Sequence, residues 1–135
     1  MLGEWSTPNG AASVSALARD VVLIVMSGYV TSSMGNRLTA QLRHYLIETG
    51  DVHTFWDLGP LVKYDADVRT RSIQVLLDER CHIASMHAFS EAENVKLGVM
   101  TARIVLGEHL DNLFVHETRE SFADTLAAML AGRTN

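Results

Sequence analysis

VVLIVMSG, residues 21–28, is apolar at its first six positions with no polar alternation. Such a run reads as a strand buried on both faces, the kind found in a parallel sheet with helices on each side. Gly28 stands where that strand ends. The next stretch, TSSMGNRLTAQLRHYLIETG (31–50), sets Met34, Leu38, Leu42, Tyr45 and Leu46 at helical spacing. One of Thr31, Ser32 and Ser33 can cap its start, and Gly50 suits its end.

Working outward, the same alternation repeats. DVHTFWDL (51–58) is rich in β-branched and aromatic residues and is followed by Gly59-Pro60, so it reads as a strand. Residues 66–80 return to helical spacing through Val68, Ser72, Val75 and Leu76. CHIASMHAF (81–89) reads as a third interior strand. SEAENVKLGVMTARIVLGEH (90–109) reads as a helix opened by a Ser90–Glu93 capping box and closed by Gly107. NLFVH (112–116) and ETRESFADTLAAMLAG (117–132) supply a last strand and helix. A weaker strand is expected at 11–18, after a loosely ordered lead-in over residues 1–10. The order (β)βαβαβαβα predicts one α/β domain over 11–135, with a mostly parallel sheet of four to five strands and about four helices.

Composition bounds the function. A chain of 135 residues has the size of one domain, and its net charge of −5, with eleven scattered basic residues, argues against nucleic acid. The apolar runs are too short for membrane insertion, and the first residues lack the charged and apolar regions of a secretion signal. The single cysteine, Cys81, reads as a packed thiol, and the expected compartment is the cytoplasm.

No cofactor or metal is implied. SGYVTSSMGN offers neither a dinucleotide fingerprint nor a phosphate loop. The histidines at 44, 53, 82, 87, 109 and 116 form no helical metal pair, and each reads as a surface or satisfied core residue. His87, Ser90 and Asp57 could be drawn as a hydrolase triad, but Ser90 has a capping role and no G-x-S-x-G elbow. VKYDADVRT (62–70) holds Tyr64, Asp65, Asp67 and Arg69 at a strand-to-helix junction, where open α/β sheets carry function. Asp65 and Asp67 there read as a cap and a complement to the helix dipole.

With these junctions the chain resembles a STAS-type domain, the fold of bacterial anti-sigma-factor antagonists, over roughly residues 12–131. The resemblance is carried by Trp56-Asp57, by Tyr64-Asp65 followed by Arg69, by SEAENVKLGVMTARIVLG (90–107) and by RESFADTL (119–126). It implies a non-enzymatic, regulatory interaction module with a protein partner or a second copy of itself. The family motif D-L-S falls on Asp57-Leu58-Gly59, and D-S-[ST]-G falls on Asp65-Ala66-Asp67-Val68. Both phosphorylatable hydroxyls are replaced, by Ala66 and Asp67, so no phosphorylation is expected. Asp67 reads either as a cap or as a fixed charge where a phosphoserine would stand. The partner-binding set implied is Asp57, Tyr64, Asp65, Asp67, Arg69, His87 and Ser90. A SEC14-like small-ligand or lipid-binding domain is the alternative, and a small hydrolase using Ser90 is a third.

Overall fold

The computed structural model describes residues 1–133, so the last two residues of the expected domain lie outside it. Its strands are β1 (Gly3–Thr7), β2 (Gly10–Ala18), β3 (Val21–Val30), β4 (Val52–Leu58), β5 (Leu61–Tyr64), β6 (Ile83–Ser90) and β7 (Leu113–His116). Its helices are α1 (Ser32–Thr49), α2 (Ala66–Asp78), α3 (Glu93–Leu106) and α4 (Arg119–Ala131). They form one mixed sheet in the order β1-β2-β3-β4-β6-β7, with β5 beside β3. The α/β architecture is the expected one, with two more strands than expected.

Both additions have local causes. Residues 3–7, expected in the lead-in, pair antiparallel with β2 from Gly3↔Val14 to Thr7↔Gly10. The Thr, Pro, Asn and Gly that read as loose chain are the turn residues of this hairpin. β4 pairs only with Val21–Val25 of β3, and β5 continues in the same lane beside Gly28–Val30. Gly28 allows this offset: it has φ 62°, donates its N–H to the Pro60 carbonyl at 3.0 Å, and a side chain there would meet the Asn9 carbonyl.

Thr31 caps α1, accepting from the Met34 N–H at 3.3 Å, and Gly50 closes it. The expected Ser90 cap is corrected. β6 runs through Ser90, whose backbone pairs with Leu58, and Ala92 occupies the N-cap of α3 without a side-chain bond. Cys81 is also corrected: it lies in a 3-10 turn (Arg80–His82) ahead of β6 and is exposed.

Strand alternation divides the core. Val22, Ile24, Met26, Trp56, Met86 and Ala88 face a large apolar cluster with α1, α2 and α3. Val21, Phe55 and Phe89 face a smaller one with Phe122, Leu126, Met129 and Leu130 of α4. Three helices thus cover one face and one helix covers the other. Met34, Trp56 and Phe89, apolar residues that could have served a partner, are all core.

Candidate functional site

Asp65 holds the first turns of two helices together. Although it stands at the N-cap of α2, its side chain makes no bond to that helix. Its Oδ1 accepts the Tyr29 hydroxyl at 2.5 Å, and its Oδ2 accepts the Ser32 backbone N–H at 2.8 Å. The Ser32 hydroxyl lies 3.1 Å from Asp65 Oδ2 and 2.6 Å from Asp67 Oδ1. The Tyr29 hydrogen bond, then the Ser32 N–H, holds the Asp65 carboxyl below its usual range, and the same bond raises the Tyr29 phenol. Lys63 sits 5.3 Å over the Tyr29 ring, and Arg71 Nε is 3.7 Å from Asp67. Replacing Asp65 with alanine strips three hydrogen bonds at one point. It should lower the urea midpoint of unfolding clearly more than Asp67→Ala does, with the denaturant slope unchanged.

Asp57 belongs to a different cluster. It accepts both arms of the Arg119 guanidinium, at 3.1 and 3.0 Å, and the Gly59 N–H at 3.1 Å. This two-pronged geometry ties the end of β4 to the first turn of α4. The guanidinium also lies 5.0 Å over the Phe89 ring and 3.9 Å from Glu91.

Tyr64 and Arg69 face α3. Gly98 leaves the room for them, since a side chain at that position would meet the Tyr64 hydroxyl. Both line an apolar cavity of about 70 Å3, with Trp56, Ile73, Met86 and Val95 among its walls. The outer side of α3 is apolar as well. Leu97 (69 % exposed), Met100, Ile104 (72 %) and Val105 lie in the open, beside exposed Val62 on β5. Lys63 on β5 and Lys96 and Arg103 on α3 are exposed as well. Asn94 ties the two elements by donating to the Val62 carbonyl at 2.9 Å.

His87 and Ser90 lie inside the protein, at 4 % and 6 % exposure, and so do not join a surface with the other five residues. His87 is stacked between Phe55 (4.3 Å) and Phe114 (4.9 Å) in neighbouring strands. Its polar atoms form part of a hydrogen-bonded chain across the sheet. His53 Nδ1 meets Ser85 Oγ at 2.6 Å, and Ser85 Oγ meets His87 Nε2 at 3.2 Å. His87 Nδ1 meets His116 Nε2 at 3.0 Å, and His116 Nδ1 meets Ser121 Oγ at 2.8 Å. Burial, then the neighbouring His116 and His53, lowers the His87 pKa to about 4, and burial lowers that of His116.

No family model and no curated protein sequence matches the chain. A solved structure does: an uncharacterised protein of the DUF3478 family, with a SpoIIAA-like fold, from Shewanella loihica PV-4. The similarity has a TM-score of 0.61 at 16 % identity, over 92 % of this chain and 99 % of that one. The chain has a SpoIIAA-like fold.

On this SpoIIAA-like frame the expected site residues fall into separate places. Tyr29, Ser32, Asp65 and Asp67 bind together at the start of α1 and α2, and Asp57 pairs with α4. Ala66 and Asp67 occupy the first two positions of α2. Three things escaped the sequence reading: the part played by Ser32, the outer stripe of α3, and the His–Ser chain. For α3 a signal existed, because Leu97, Met100 and Ile104 form a second apolar stripe at helical spacing. Among the described residues no group of three or more His, Cys, Asp or Glu is placed to hold a metal, and no helix is long and apolar enough to cross a membrane.

Proposed function

We propose that this chain is a STAS-like regulatory module that docks a protein partner through the outer face of α3, β5 and the adjoining start of α2. The reading is carried by α3 exposing Leu97, Met100, Ile104 and Val105 to solvent, opposite the stripe it buries. A helix apolar on both sides is one that expects a neighbour. The partner is a protein with an apolar patch rimmed by acidic side chains. It complements Lys63, Lys96 and Arg103, which outnumber the one carboxylate of α3, Glu93, 4.0 Å from Lys96, on a chain of net charge −5. Asp65 and Asp67 hold the start of α2 beside this face through Ser32, and Arg71 lies 3.7 Å from the Asp67 carboxylate.

A photo-crosslinking residue in place of Ile104, used in native cells, tests the surface. One heterologous protein should crosslink, and the adduct should fade as salt rises. Ile104→Asp should weaken binding to that protein at least tenfold while leaving the unfolding free energy within about 0.5 kcal/mol. Undiminished binding would remove α3 from the interface. Crosslinking to the chain's own copy would make the partner a second subunit.

The cavity beneath α3 favours a second reading, a small apolar ligand held between α2, α3 and the sheet. Its volume of about 70 Å3 is far below the ~300 Å3 of an ordinary ligand pocket, so α3 would have to move outward. Trp56 lines this space. A saturable change in its fluorescence with a short fatty acid would support the reading, and a flat titration would remove it.

A further inference from the structure

On the other face of the sheet, the exposed end of the His–Ser chain has the connectivity of a nucleophilic site. Ser121 is the third residue of α4, exposed, with its N–H bonded to the Thr118 Oγ1 at 3.0 Å. That bond fixes the first turn of the helix and sets the Ser121 hydroxyl 2.8 Å from His116 Nδ1. His116 in turn is held through Nε2 by the buried His87, at 3.0 Å. A hydroxyl, a base on it, and a third group orienting the base are the parts of a covalent acyl-transfer site. We propose that Ser121, His116 and His87 form such a site, acting on a small carboxylic ester in the groove beside them.

The hydrogen-bond chain allows the required protonation state. Ser121 donates to His116 Nδ1, His116 Nε2–H donates to His87 Nδ1, His87 Nε2–H donates to Ser85, and Ser85 donates to His53 Nδ1. Every group in the chain is then satisfied and neutral, and His116 presents a free lone pair to the nucleophile. Burial favours the neutral imidazoles. Beside Ser121 lies an open groove of about 570 Å3, lined by Arg103, Phe114, His116, Glu117 and Thr118. Phe114 is 48 % exposed and offers an apolar platform for a short acyl group. The N–H groups of Arg119 and Glu120, in the first turn of α4, have no intrahelical acceptor and are the donors nearest in sequence for an oxyanion.

In the first step a bond forms between Ser121 Oγ and the acyl carbon, and the hydroxyl proton passes to His116 Nδ1. The ester C–O bond then breaks, and the leaving oxygen takes that proton. In the second step water attacks the acyl carbon, His116 accepts the water proton, and Ser121 Oγ departs and recovers it. No redox partner is needed.

Arg103 borders both the docking face and the groove, but Ser121, His116 and His87 are not part of the α3 stripe, so Ile104→Asp and Ser121→Ala test the two readings separately. The test treats the full chain with a fluorophosphonate probe and with 4-nitrophenyl acetate, followed by peptide mapping. The expected result is an adduct on Ser121, absent in Ser121→Ala, and formed on the order of 100-fold more slowly in His116→Ala. A folded chain without an adduct on Ser121, or one that reacts equally fast in His116→Ala, overturns the proposal. His87 is a positioning residue. His87→Phe keeps the aromatic stack but removes the acceptor facing the His116 proton, so it should shift the midpoint of the pH–rate profile for labelling. An unchanged profile removes His87 from the site.

Discussion

Replacing Phe55 with alanine should lower the unfolding free energy by about 4 kcal/mol, measured by urea or thermal denaturation. Phe55 is fully buried in the middle of β4. Its ring stacks on His87 at 4.3 Å and meets the edge of Phe122 from α4 at 5.7 Å. Only α4 covers this face, so few other side chains can close the space left behind. The loss should also loosen the stack that keeps His87 dry. Phe114 flanks His87 from the other side but is about half exposed, so Phe114→Ala should cost clearly less. Equal losses for the two would show that burial does not set the cost at this stack.

Acidification from pH 7 to 4 should remove roughly 3 kcal/mol of stability through His87 alone. The imidazole titrates at 6.5 in the unfolded chain and at about 4 when folded, because burial disfavours the charged ring. Between those values the unfolded chain takes up the proton first. The stabilisation is therefore complete above about pH 6.5 and is lost as the pH falls toward 4. His53 and His116 are lowered in the same sense and add to the slope. Asp65, Asp20 and Asp78 are held below 3.8, so their contributions disappear only at lower pH. The window from 6.5 to 4 therefore belongs to the histidines. Denaturant titrations across it should show a steep fall in the wild type and a shallower one in His87→Phe. Parallel curves would locate the titration elsewhere.

Elements with long, self-consistent patterns were legible in advance. The apolar run 21–26, the helical stripe Met34–Leu38–Leu42–Leu46 and the cap of α1 each follow from neighbours in the chain, because backbone hydrogen bonding and side-chain periodicity are local. The short elements were not. β1 and β5 are five and four residues long, and their pairing energy comes from β2 and β3 rather than from their own composition. Ser90 and Glu93 have the spacing of a capping box. Pairing with β4 extends β6 through Ser90, so the tertiary ladder overrides the local motif.

The candidate site divides the same way. VKYDADVRT was legible as the junction between a strand and α2, with two carboxylates at the helix start. What Asp65 binds was not legible, since Tyr29 and Ser32 stand 36 and 33 residues away in the chain. The histidines showed no metal spacing and read as isolated. They line up only because β4, β6 and β7 lie side by side in parallel register, bringing Phe55, His87 and Phe114 into one row. By itself the sequence determined the α/β class and the order of the main strands and helices, both properties of residues near one another in the chain. Only the tertiary structure decided which residues meet across strands, which face of α3 stays open, and which histidine is dry, because those depend on sheet order and on which helix covers each face.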